Sequence, residues 1–188
     1  MRLLRTVQVA VLLLLTGALA TPSAAGARPE RTQQRQQKDD QDDKLPANQA
    51  LEQKACGPKD AKYSADTDKK QHPTPDAPAD MALVYVVRPT MVGNKIQTKL
   101  GVDGTWLSVN RGNNYFYFTL APGAHDFCSQ AENRSVLSVT VEAGKTYYVQ
   151  QKIRMGLMKA RNELELLDEA EGKKGLAKTN LSISEEKK

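Results

Sequence analysis

The chain has 188 residues, a formal charge of +5, and only 39% hydrophobic and 5% aromatic residues. Its cations sit among acids rather than along one basic stripe, which argues against nucleic-acid binding. With two cysteines and two histidines, not clustered together, no metal centre or cofactor is expected.

The amino end reads as an export signal. Arg2 and Arg5 form a basic region ahead of an apolar run from Val7 to Ala20. Small residues then offer cleavage after Ala20 or Ala27. The run is shorter than the about 20 apolar residues of a comfortable membrane span. No later stretch approaches that length, so no integral span is expected after cleavage. No cysteine lies near the cleavage region to carry a lipid. The expectation is an exported protein, periplasmic or secreted, in which removal of Arg2 and Arg5 lowers the charge to +3.

Residues 28–54 are rich in Gln, Asp and Lys and nearly free of β-branched and aromatic side chains, so a disordered polar linker is expected. The acidic block Asp39 to Lys44 lacks the glycine and terminal glutamate of a calcium loop. Residues 55–80 hold Cys56-Gly57-Pro58, Tyr63 and then a linker from Lys69 to Asp80, read as extended through Pro73, Pro75 and Pro78. His72 in that linker is taken as solvated.

Residues 81–183 read as an all-β domain: a small antiparallel sandwich of about seven strands, Ig-like or transthyretin-like, with a short helix or turn around 168–178. Residues 184–188 are left as a charged tail. Ala82 to Arg88 is apolar on both parities, a strand covered on both faces. Asp103-Gly104 predicts a two-residue type I′ hairpin turn. That turn pairs Val102 with Thr105, Gly101 with Trp106 and Leu100 with Leu107. One face then carries Leu100, Val102, Leu107 and Val109, and the other Lys99, Gly101, Trp106 and Ser108. Further on, Phe116, Phe118 and Leu120 point inward, opposite Tyr115, Tyr117 and Thr119. Leu137, Val139 and Val141 point inward opposite Ser138, Thr140 and Glu142. Asn162 to Leu167 is expected to be the last strand.

In an oxidising compartment a lone pair of cysteines is usually bridged, so Cys56 and Cys128 are expected to form a disulfide. If Phe127 points into the core, Cys128 points outward and pins the Cys56 segment across the outer face.

Catalytic constellations are poorly supported, and no catalytic residue is assigned. His125 and Asp126 are strand neighbours and project to opposite faces. Glu163 and Glu165 share a face at roughly 7 Å, as in some inverting glycosidases, but alternate with Leu164 and Leu166 like any half-exposed strand. Asp103 is accounted for by its turn. Asn133-Arg134-Ser135 and Asn180-Leu181-Ser182 fit a glycosylation tripeptide that often arises by chance.

Five segments carry a resemblance: Ala82 to Arg88, Leu100 to Trp106, Asn113 to Phe118, Pro122 to His125 with Cys128, and Ala143 to Tyr148. In this order and spacing the chain resembles the bacterial "domain of unknown function 2846" family. The Cys56-Gly57-Pro58 segment and the ending Leu181 to Lys188 resemble an exported, non-lipoprotein subgroup. The resemblance implies an envelope-associated β-sandwich and supplies no catalytic residues. The expected function is a non-enzymatic binding or structural module of the cell envelope, contacting an unknown protein or glycan. Trp106, Tyr115 and Tyr117 form the candidate contact surface, because aromatics with polar tips favour interfaces. The alternative is a hydrolase of envelope glycan or peptide using Glu163, Glu165 or His125. A weaker possibility is attachment to an anionic surface through the carboxy-terminal lysines.

Overall fold

The computed structural model describes residues 47–155 and 160–187. The signal segment, most of the polar linker and the Asp39 to Lys44 block lie outside them. The described chain begins with helix α1 (Ala47–Ala55), followed by β1 (Lys62–Asp68), β2 (Ala82–Arg88), β3 (Thr98–Val102) and β4 (Thr105–Asn110). Next come β5 (Asn114–Leu120), β6 (Gly123–Gln130), β7 (Arg134–Val141), β8 (Thr146–Met155) and β9 (Ala160–Leu167). Helix α2 (Glu169–Leu176) and β10 (Asn180–Lys187) complete it.

The strands form two sheets, one of six strands in the order β1-β10-β5-β2-β8-β9 and one of four in the order β4-β3-β6-β7. The all-β, two-sheet expectation holds, with two corrections. The larger sheet is mixed rather than purely antiparallel, because β8 runs parallel to β2 and β10 parallel to β5. Both strands return by long connections instead of hairpins, which permits that polarity. The fold also exceeds residues 81–183. Helix α1 starts inside the expected linker, β1 precedes the expected boundary, and the charged tail through Lys187 lies in β10, paired antiparallel with β1.

The core lies between the sheets. Val84 and Val86 of the central β2 meet Leu100, Phe116, Phe127, Val139, Val141 and Val149, all nearly fully buried. β2 is buried at every position, as its apolar character on both parities requires. Its other face supports a second cluster of Leu83, Tyr85, Val87, Tyr115, Tyr148 and Leu176. Asp168 caps α2 by accepting from the Glu171 amide at 2.8 Å, and acids lead that helix while lysines close it.

The hairpin turn forms as read, with Asp103 and Gly104 both at positive φ (49° and 85°). Val102 pairs with Thr105 and Gly101 with Trp106, but an irregularity between Leu100 and Gly101 then pairs Leu100 with Ser108. This extra residue turns Leu107 out, and it is 40% exposed instead of lying in the core.

Side chains close both lateral seams between the sheets. On one flank Ser182 Oγ donates to the Val109 carbonyl at 3.0 Å, and the Ser108 and Ser184 hydroxyls meet at 2.7 Å. On the other, Ser135 Oγ accepts from the Leu164 amide at 3.0 Å and Asn133 Oδ1 from the Asn162 amide at 2.6 Å. Asn133, the first residue of one glycosylation tripeptide, is thus engaged within the fold.

Arg88, at the end of β2, is fully buried. Its guanidinium donates to the carbonyls of Ile96 and Gly93 at 2.6 Å each, to Val92 at 3.3 Å and to Thr98 Oγ1 at 3.1 Å. It organises the loop between β2 and β3 from beneath. Burial brings its pKa down to about 10.

Candidate functional site

The expected aromatic contact surface does not form. Trp106 is 6% exposed and Tyr115 fully buried, and they belong to different sheets. Trp106 lies beneath the Cys56 segment. Its Nε1 donates to the Pro58 carbonyl at 2.8 Å, and Gly57 is so close that a Cβ there would come within 2.5 Å of the indole. Lys99 caps the ring at 4.6 Å. The Cys56–Cys128 disulfide forms, with Cα atoms 5.1 Å apart, in a buried cluster with Ala55 and Trp106. Phe127 faces the core and Cys128 the outside, as parity requires. On the other sheet Tyr115 belongs to the buried cluster with Tyr85 and Tyr148, and Tyr117 packs partly buried against it.

His125 and Asp126 diverge, but His125 has a different acid partner. Its Nδ1 lies 2.6 Å from Asp103 Oδ2 and its Nε2 2.8 Å from the Ala121 carbonyl. Both neighbours are acceptors, so the ring is held as an imidazolium that donates from both nitrogens. Asp103 therefore does more than shape its turn; its other oxygen accepts from the Asp126 amide at 2.9 Å. Beside it Asp126 holds Lys54 of α1 at 2.7 Å and Ser138 at 2.6 Å. The cluster fastens α1 and the hairpin turn to β6. It offers no activated nucleophile.

Partial burial opposes charging of His125, but the Asp103 hydrogen bond, the Ala121 carbonyl and the two nearby carboxylates outweigh it, raising the pKa above 6.5. Burial likewise works against ionised Asp103, while the Asp126 amide and His125 prevail and lower its pKa below 3.8. The His125 contribution to stability is complete below pH 6.5 and is lost as pH rises through the raised folded-state value. The Asp103 contribution is present above pH 3.8 and is lost as pH falls through the lowered value. We expect thermal melts between about pH 3 and 9 to peak in the acid-to-neutral interval between these limits. His125→Gln should flatten the alkaline limb and spare most of the acid one. An unchanged alkaline limb would remove His125 from this role.

Glu163 and Glu165 do not form an acid pair for catalysis. Glu163 binds Arg154 at 3.0 Å and Glu165 binds Lys152, so each carboxylate faces a cation on the adjacent strand β8. His125 lies on the other sheet. Among the described residues no group of three His, Cys, Asp or Glu side chains could hold a metal. No helix among them is long and apolar enough to cross a membrane.

A concave feature lies on the outer face of the six-stranded sheet. A groove of about 480 Å³ runs between α2 and the Pro-rich stretch that follows β1. Tyr85 and Tyr148, stacked with centroids 5.5 Å apart, form its floor. Asp76, Glu169 and Lys173 stand on its walls, with Glu169 paired to Lys173. The Pro-rich stretch is not a free linker but a strap laid over tyrosines. Tyr115 Oη donates to the Pro73 carbonyl at 3.0 Å and Tyr85 Oη to the Pro75 carbonyl at 2.9 Å. His72 is exposed, as expected, but its ring is also engaged. Its ring lies 4.8 Å from Tyr115, and its Nε2 faces the carbonyls of Leu176 and Thr179 at 3.2 and 3.1 Å. Burial pushes the Tyr85 and Tyr115 hydroxyls up to about 12 and also raises that of Tyr148, so all three stay protonated and able to donate.

Residues 78–163 match the family model described as "Protein of unknown function (DUF2846)". The resemblance read from the sequence therefore holds over that segment, which runs from the end of the strap into β9. An uncharacterised protein of Haemophilus influenzae is 28% identical over 102 residues, or 54% of this chain and 61% of that protein. The chain thus spans about three fifths of the length of that curated relative. No solved structure matches. The matched segment contains the groove floor, whereas α2 and most of the strap lie outside it.

Proposed function

We propose, from the premise that residues 78–163 carry a domain of unknown function, that the chain is an exported, non-enzymatic binding module of the bacterial cell envelope. Its contact is the tyrosine-floored groove, in place of the Trp106 surface read from the sequence. That groove carries the reading: a concave site with an aromatic floor, a few charged groups on its walls and no nucleophile paired with a base. The buried Cys56–Cys128 bridge supports export, because such bridges persist in oxidising compartments. The hydrolase alternative gains no support, because Glu163 and Glu165 are each neutralised by a cation and lie apart from His125.

The test is photo-cross-linking in intact cells from a probe placed at Ala177, on the exposed rim of the groove. We expect covalent capture of an envelope protein or glycan from this position and none from the same probe at Met91, which is exposed on the loop between β2 and β3. The same cells should yield mature protein beginning after Ala20 or Ala27, with no free thiol. A precursor retained in the cytoplasm with reduced cysteines would sink the export reading. Equal capture from both positions would sink the groove.

A further inference from the structure

We infer that the groove recognises an extended, proline-rich peptide, using the Tyr148 hydroxyl as the donor that meets a peptide carbonyl. The inference rests on the proposed binding role of this groove and specifies its ligand class.

The strap supplies the template. As the chain passes from Pro73 to Pro75 it crosses from Tyr115 on β5 to Tyr85 on β2, giving a carbonyl to each tyrosine hydroxyl. Polyproline II advances 3.1 Å per residue, so carbonyls two residues apart lie about 6 Å apart. The Tyr115 and Tyr85 rings are 6.3 Å apart, which matches that step. One strand further in the same direction is β8, where Tyr148 stands in register with Tyr85 and 5.5 Å from it. Tyr115 lies two residues off that register, opposite Val87, so the line from Tyr115 to Tyr85 bends at Tyr85 to reach Tyr148, whose ring stands beside those the strap already engages.

The strap does not follow it. The Pro78 carbonyl accepts from the Met81 amide, and the chain turns away to begin β2 at Ala82. Among the described residues the Tyr148 hydroxyl has no hydrogen-bond acceptor, and Tyr148 lines the groove beside Tyr85.

The chemistry of the row favours a proline-rich ligand over a sugar. Proline has a carbonyl but no amide proton, and its preformed helix loses little entropy on docking against aromatic side chains. The Tyr85 and Tyr115 hydroxyls are both spent as donors to carbonyls, and Tyr148 repeats that role. A pyranose would need acceptors as well as donors, and of the two carboxylates on the groove walls Glu169 is paired with Lys173, leaving Asp76.

The probes are decaproline and a tetramer of N-acetylglucosamine, each titrated into the mature disulfide-bonded protein. The readout is the backbone amide spectrum at Tyr148, Lys173 and Ala177. Decaproline should move these signals saturably. Tyr148→Phe, which removes only the hydroxyl, should weaken binding about three- to tenfold. Ala177→Arg, which fills the groove from its exposed rim, should abolish binding, and Tyr117→Phe, outside the groove, should leave it unchanged. Groove shifts with the sugar but not with decaproline would overturn the peptide assignment and keep the binding role. No shift with either probe would overturn both. Decaproline binding that is indifferent to Tyr148→Phe and Ala177→Arg would place the peptide elsewhere and overturn the inference.

Discussion

Replacing Cys56 and Cys128 together with serine is expected to lower the free energy of unfolding by about 4 kcal/mol. The bridge joins positions 72 residues apart, and closing so long a loop removes much of the entropy of the unfolded chain. In a domain of this size the loss corresponds to a fall of about 10–20 °C in melting temperature. The structure also predicts where the damage is felt. The bridge belongs to the buried cluster of Ala55, at the end of α1, and Trp106, and Gly57 lies directly against the indole, so the segment that the bridge pins is part of the cover over that ring. Without the bridge α1 is retained by the exposed Lys54 ion pair with Asp126 and a few backbone bonds, such as that from Gly104 to Ala55. Thermal melts with and without reductant, with limited proteolysis to follow α1, measure both effects. Equal melting temperatures in fully reduced and fully oxidised protein would contradict the prediction.

Arg88→Met is expected to cost about 3–5 kcal/mol, although methionine fills much of the same volume. The guanidinium serves four acceptors from a fully buried position, and among the described residues no carboxylate pairs with it. Its removal leaves the partly buried carbonyls of Ile96 and Gly93 without this donor, and the loop between β2 and β3 should loosen. Arg88→Lys keeps the charge but loses the planar fork that spans Ile96 and Gly93, so it should recover less than half of the loss. Denaturant titration gives the energy, and amide exchange at Gly93 through Gln97 shows whether the loop opens. A cost below about 1 kcal/mol would mean that water replaces the guanidinium without penalty.

Much of the fold was legible because alternation fixes faces. The burial of β2 on both sides, the Asp103-Gly104 turn, the inward phenylalanines and the opposed faces of Phe127 and Cys128 all follow from parity. Leu107 escaped because a single irregularity shifts every later residue of the strand pair, and no residue type marks it. Strands β1 and β10 were hidden by composition. Lys62-Tyr-Ser-Ala-Asp-Thr-Asp68 and the acidic end of β10 read as polar surface, yet they pair with each other at the sheet margin, where charged side chains face solvent.

The groove escaped for another reason. A polyproline strap has no hydrophobic period, so Pro73 and Pro75 carry no sign of what they cover. The signal that could have revealed it was distributed: Tyr85, Tyr115, Tyr117 and Tyr148 all point to one side of three adjacent strands, and each hydroxyl there invites an acceptor. The nearest stretch rich in carbonyls and poor in amide protons is residues 73–78. Trp106, by contrast, was correctly placed on the outer face, but parity cannot tell solvent from a disulfide-bonded helix lying above it.

The serine and asparagine bonds along the two seams bear on how copies of this chain behave when crowded. A bare strand flank is a template on which another molecule can grow a β-ladder, the first step toward fibrils. Here backbone groups that could start such growth are already answered by Ser182 on one flank and by Ser135 and Asn133 on the other. Another outer strand, β1, carries Lys62, Asp66 and Asp68, whose charges repel an identical neighbour laid in register. Six side chains of modest size thus make the folded chain a poor seed for its own polymerisation.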